Sequence, residues 1–268
     1  MESERRDRVR LSSGITVPYI SRGDDDALPV VFLHGWGESA GVFDRVLPLL
    51  PRQLRAFAFD QRGHGGATKP QSGYELADAA SDVRAFLDAL DLPSAVLVGS
   101  SSGGYIAQEV AASYPDRVSA LVLVGAPRSL QGRAPFADEV ESLTDPVDAA
   151  WVRRSLTWFR LPSAIPAWYI DDRVQDGVRM PAHALRLSLA GLTAASPPTD
   201  HGTITCAALI IRGADDELIA LADHELLAER IPDSRLLTYP NTGHLVLWEH
   251  PARVAADTVA FISGIRLF

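Results

Sequence analysis

The chain has 268 residues, 47% hydrophobic and 22% charged, a globular composition that excludes disordered and fibrous classes. Its net charge of −9 argues against a nucleic-acid partner, which needs a clustered basic surface. A lone cysteine, Cys206, excludes an internal disulfide and a multi-cysteine zinc site. No run reaches the ~18 apolar residues of a membrane span. The charged start MESERRDRVR shows no signal peptide, so a cytoplasmic protein is expected.

In chain order, RVRLSSGITVPYIS reads as two strands about a Ser-Gly turn, an antiparallel hairpin at a sheet edge. Short apolar runs then recur: PVVFLHG (29–35), AFAFD (56–60), AVLVG (95–99), ALVLVG (120–125), AALIIRG (207–213) and RLLTY (235–239). Each is apolar on consecutive positions, as strands buried on both faces are. Helical spacing lies between them. Over 76–90, Leu76, Ala80, Val83, Leu87 and Leu90 form one stripe. Pro251 opens a last helix that runs through Val254, Val259 and Ile262. Alternating strands and helices predict an α/β fold, a mostly parallel sheet covered on both faces. Residues 127–203 break the alternation. They offer no strand, hold Trp151, Trp158, Trp168, Phe159 and Tyr169, and show helical spacing around 137–143, 148–159 and 181–193. A helical cap over one end of the sheet is expected there, inserted into a core of residues 1–126 and 204–268.

The stretch VGSSSGGY (98–105) lies between the strand AVLVG and a helix. In open α/β sheets, ligands bind at the carboxyl ends of the strands. A nucleophile elbow there needs tiny residues two before and two after the raised side chain. Only Ser101 has glycine at both places, Gly99 and Gly103. A serine hydroxyl needs a base, most often a histidine oriented by a carboxylate. His244 follows the strand RLLTY and is the histidine placed to reach Ser101. His34 and His64 sit in glycine-rich turns. His183 is read as packing or surface, His201 and His224 as solvated, and His250 as a helix-start residue. The carboxylate should follow AALIIRG, where Asp215, Asp216 and Glu217 are the choices.

The motifs HGWG, DQRGHG, VGSSSGG, GADD and TGHLVLWEHP resemble, in this order, those of α/β-hydrolases. The resemblance spans nearly the whole chain. It implies an α/β-hydrolase fold and places the acid on Asp216, counted from Gly213 in a G-x-x-D pattern. It also implies an oxyanion hole from the backbone N–H groups of Trp36 and Ser102. His34, Asp60, Arg62 and His64 correspond to structural turn residues, and residues 127–203 to the family's variable cap. Trp151, Trp158, Trp168 and Trp248 are candidates to line the substrate pocket, with core packing as the alternative. Arg153, Arg154 and Arg160 read as surface charge.

The expected chemistry is a serine hydrolase acting on a small-molecule carboxylic ester or lactone, apolar or aromatic, with Ser101, Asp216 and His244 catalytic. No metal or organic cofactor and no membrane is expected, and either a monomer or a homo-oligomer fits. Three rivals stand beside this reading. A carbon–carbon bond hydrolase is suggested by the tryptophan after His244. A cofactor-independent dioxygenase of this fold is opposed by Ser102, where those enzymes carry histidine. The third is a non-enzymatic member that binds a small molecule.

Overall fold

A computed structural model describes residues 4–132, 134–159 and 165–265. One sheet organises them: β1 (Arg5–Arg10), β2 (Thr16–Arg22), β3 (Leu28–Leu33), β4 (Leu54–Phe59), β5 (Ala95–Ser100), β6 (Val118–Val124), β7 (Ala208–Gly213) and β8 (Ser234–Tyr239). Their spatial order is β1-β2-β4-β3-β5-β6-β7-β8. β1 pairs antiparallel with β2 and β2 with β4, while every later pair is parallel. The strands match the six apolar runs and the hairpin. Val31 stands opposite both Phe57 and Leu97, and Leu97 opposite Leu121, so apolar side chains line up across the central strands.

The helices are α1 (Leu76–Ala89), α2 (Ser102–Ser113), α3 (Ala137–Glu141), α4 (Ala149–Ser155), α5 (Ala167–Gly177), α6 (Ala182–Ala194), α7 (Pro198–His201), α8 (Leu221–Arg230), α9 (Val246–Glu249) and α10 (Pro251–Gly264). Glu75 and Asp78 cap the start of α1 reciprocally, and Leu76, Ala80, Val83 and Leu87 form its buried stripe. One apolar layer joins α1, α2 and α8 to one sheet face through Phe86, Tyr105, Val110 and Leu227. A second joins α9 and α10 to the other face through Leu247, Val254 and Ile262. Between β6 and β7, α3 to α6 share a third cluster of their own around Val140, Trp151, Val174 and Leu185.

Two local expectations need correction, and one helix was not anticipated. The stretch 148–159 is not one helix: α4 stops at Ser155 and a 3-10 turn, Leu156–Trp158, follows. α5 has no counterpart in the sequence reading, because its buried face includes a charged residue, Arg173, beside Tyr169, Val174 and Gly177. His224 is not solvated. It is fully buried on α8 with Leu227, and its Nδ1 lies 3.2 Å from the Ala220 carbonyl oxygen. Burial pushes its imidazole below the ordinary histidine value. His201, by contrast, ends α7 half-exposed and meets Glu109 at 3.1 Å.

Candidate active site

β5 ends in the middle of the sheet and α2 begins at once, so the chain must reverse direction within one residue. That residue is Ser101, with φ 49° and ψ −124°, a backbone conformation unusual for anything but glycine. The two flanking glycines are required by contact. A Cβ on Gly99 would run into the backbone of Gly104, and one on Gly103 into the carbonyl of Leu33. The turn therefore packs against the end of β3 and leaves the Ser101 side chain as the group raised from the sheet.

Loops after β7 and β8 bring the partners. Ser101 Oγ lies 3.0 Å from His244 Nε2, and His244 Nδ1 lies 2.9 Å from Asp216 Oδ2. The other Asp216 oxygen accepts the N–H groups of Leu218 and Ile219 at 2.9 and 3.0 Å. Burial alone would raise the Asp216 carboxyl. The bond from His244 and those two amides outweigh it and hold the group below its ordinary value. A carboxylate at this position favours the His244 tautomer with Nδ1 as donor, which leaves Nε2 as the acceptor toward Ser101. Asp215 and Glu217 are exposed. The His244 loop is braced as well, since the Gly243 N–H donates to Glu249 at 2.9 Å.

Trp36 follows the end of β3, and Ser102 is the first residue of α2, where a helix dipole favours an anion. Both line a cavity of about 300 Å³ that also takes in Ser101 and His244. Part of the remaining wall is aromatic. Trp36 stacks on Phe136 (ring centroids 5.5 Å apart), Phe136 on Trp158 (4.5 Å), and Trp151 meets Trp158 edge-on. Phe159 stacks over the His244 ring at 5.2 Å. Trp151, Trp158 and Trp248 line the cavity. Trp168 does not: it is 53% exposed on the outer side of α5, because its neighbour Tyr169 takes the inward position.

The turn residues read as structural are packed accordingly. The buried His34 ring accepts the Gln61 N–H at 3.0 Å, and burial pushes its imidazole down to about 4. Asp60 receives the N–H groups of Ala40 and Gly66 at 2.8 and 2.7 Å, and Arg62 pairs with Asp82. Arg153 pairs with Asp171 at the surface and Arg154 is exposed, while Arg160 lies outside the described residues. His183 approaches the Pro70 carbonyl at 3.1 Å, and His250 precedes α10.

Two charged side chains in the cavity wall have no counterpart in the sequence reading. Glu38 stands three residues after Gly35, and its oxygens accept the Gly35 N–H and the Trp248 indole N–H. Arg173 reaches the wall from α5, with its guanidinium over the Tyr169 ring. Neither belongs to a motif, and only the packing of the helices on the sheet brings them in.

Residues 29–251 match the family described as alpha/beta hydrolase fold. The chain is 31% identical over 273 residues to a non-heme chloroperoxidase of Streptomyces lividans, covering 96% of this chain and 99% of that protein. It is 32% identical over 237 residues to a pimeloyl-[acyl-carrier protein] methyl ester esterase of Chromobacterium violaceum, covering 82% and 89%. Among solved structures, a hydrolase from Pseudomonas aeruginosa PA01 superposes with a TM-score of 0.86 at 26% identity, covering 98% and 100%. The fold, the order of the strands and these matches agree: the chain belongs to the α/β-hydrolase fold family.

Proposed function

We propose that the protein hydrolyses a small-molecule carboxylic ester or lactone through an acyl-enzyme on Ser101. The observation that carries this reading is the row Ser101 Oγ, His244 Nε2, His244 Nδ1, Asp216 Oδ2, with gaps of 3.0 and 2.9 Å, opening on a cavity. His244 takes the Ser101 proton as Oγ attacks the substrate carbonyl. The backbone N–H groups of Trp36 and Ser102 receive the charge that develops on the carbonyl oxygen. One such donor supplies about 3 to 4 kcal/mol of transition-state stabilisation. The imidazolium passes its proton to the leaving alkoxide, which departs as the alcohol. Water then attacks the acyl-enzyme with His244 as base and releases the acid.

Residues 127–203 serve in this reading as a cap over the core of 1–126 and 204–268. The rings of Trp36, Phe136, Trp158 and Trp151 in the cavity lining favour an apolar or aromatic substrate. The test is intact-protein mass after fluorophosphonate treatment. One adduct on the wild type and none on Ser101→Ala, together with loss of ester turnover in that variant, is the expected result. Wild-type turnover in purified Ser101→Ala overturns the mechanism.

The likeness to a non-heme chloroperoxidase favours one second reading of the same site. Hydrogen peroxide, in place of water, would accept the acyl group from Ser101 and leave as a peracid. Peracid formation from an ester and peroxide, absent in Ser101→Ala, distinguishes it.

A further inference from the structure

One carboxyl group in the cavity wall has no part in the acyl-transfer steps. Glu38 Oε2 accepts the Gly35 N–H at 2.8 Å, and Oε1 accepts the Trp248 Nε1–H at 3.2 Å. Gly35 immediately precedes Trp36, and Trp248 lies on α9 four residues after His244. A single side chain therefore joins the turn after β3, which carries the proposed oxyanion donor, to α9, which begins two residues after the proposed base. The group is also close to the nucleophile. A Cβ on Gly35 would stand 2.9 Å from Glu38 Oε2 and 3.4 Å from Ser101 Cβ.

We propose that Glu38 is a positioning residue for acyl transfer, bracing the Gly35–Trp36 turn against Trp248 and holding a negative charge beside His244. The inference rests on the ester-hydrolase reading above. Two N–H donors aimed at its two oxygens favour the carboxylate form, because an acid proton on either oxygen would compete with one of them. Burial opposes ionisation and raises the carboxyl above its usual range. The two hydrogen bonds, the Arg173 guanidinium from α5 and the charge of a protonated His244 pull the other way, while the Tyr169 hydroxyl, which donates to the Val42 carbonyl, lies within electrostatic reach of the group. During turnover His244 becomes positive as Ser101 attacks. A carboxylate already fixed nearby stabilises that imidazolium without having to reorganise. When Glu38 is protonated, both the brace and the charge are lost.

The test follows fluorophosphonate labelling rate, and kcat and KM for p-nitrophenyl acetate, against pH in wild type, Glu38→Gln and Trp248→Phe. Glutamine keeps the size, removes the charge and turns an NH2 group onto one of the two N–H donors. Misplacing the machinery in this way slows labelling and kcat by about 10- to 100-fold at neutral pH, with KM held within about twofold. The acid limb of the profile moves to lower pH in Glu38→Gln, because a group whose protonation loosens the turn is gone and the imidazolium is less favoured. Trp248→Phe breaks one bond and keeps the charge. It slows labelling by less and moves the acid limb to higher pH, because one bond that favours the carboxylate is gone.

A Glu38→Gln protein with wild-type labelling rate and acid limb overturns the inference. Should that variant not fold, an unchanged labelling rate in Trp248→Phe does the same. A wild type that takes no label at all overturns the hydrolase reading and this inference with it. A wild type that labels beside an indifferent Glu38→Gln overturns this inference alone.

Discussion

The Trp36 indole N–H lies 3.1 Å from the Ser188 hydroxyl and 3.2 Å from the Leu185 carbonyl, both on α6. The residue proposed to hold the oxyanion through its backbone is thus gripped through its side chain by the helices between β6 and β7. Its ring continues the grip by stacking on Phe136. Trp36→Phe keeps an aromatic ring and removes the N–H. Folding stability should fall by only about 1 kcal/mol, the worth of one hydrogen bond. Turnover should fall by about 10-fold, because the turn loses its register on α6. Urea titration and steady-state kinetics on a small ester measure both, and unchanged kcat would show that the side chain does not set the turn.

Asp216→Asn isolates the orientation of His244. The Leu218 and Ile219 amides both need an acceptor, so the new amide will turn its oxygen toward them. Its NH2 then faces His244 Nδ1 and forces the tautomer that carries the proton on Nε2, pointing at Ser101. Turnover should drop by about 10⁴-fold while the melting temperature changes little. A modest loss of kcat in a well-folded variant would mean that Asp216 does not control the tautomer.

Gly99→Ala tests the elbow itself. The added methyl meets backbone rather than a flexible side chain, so relief requires β5 and α2 to separate. We expect a stability loss of about 1 to 3 kcal/mol and a Ser101 that no longer labels. Equal stability by urea unfolding would show that the turn has slack.

The paired turn histidines predict an acid weakness in the fold. Desolvation by burial pushes His34 from 6.5 down to about 4 and His64 from 6.5 down to about 3. Their rings lie 5.0 Å apart, so charging one further opposes the other. The folded state binds these protons less well than the unfolded chain does, and stability then rises with pH. The contribution is complete above about 6.5, the ordinary histidine value, and is lost as pH falls toward 4 and 3. Melting temperature should therefore decline from pH 7 to pH 4, and less steeply in His64→Gln. A flat profile would contradict the burial of both rings.

The strands were legible because β3 to β7 run through the interior, so each carries a run of consecutive apolar residues, interrupted only toward its ends as at Arg55, Ser119 and Arg212. Ser101 was legible through two glycines whose absence of side chain is a steric demand. α5 was hidden because Arg173 occupies its buried face at 6% exposure, which breaks the apolar period. His224 was misread for the same reason: a polar residue on a short helix signals water until packing shows otherwise. Trp168 and Tyr169 are adjacent aromatics of which one turns inward, and composition cannot say which. Glu38 carries no motif at all, since its role depends on Trp248, 210 residues away.

The proposed nucleophile and the proposed base stand on unequal ground. Ser101 hangs from β5, which is paired on both sides, whereas His244 follows β8, which among the described residues pairs only with β7 and is partly exposed up to the buried Tyr239. Outer strands detach at lower free energy than central ones. On warming, a protein that uses Ser101 and His244 as proposed is expected to stop turning over before it melts, with the serine still on intact strands while His244 has drifted off the rim. Inactivation and denaturation are then two events, and the gap between them is a property of β8.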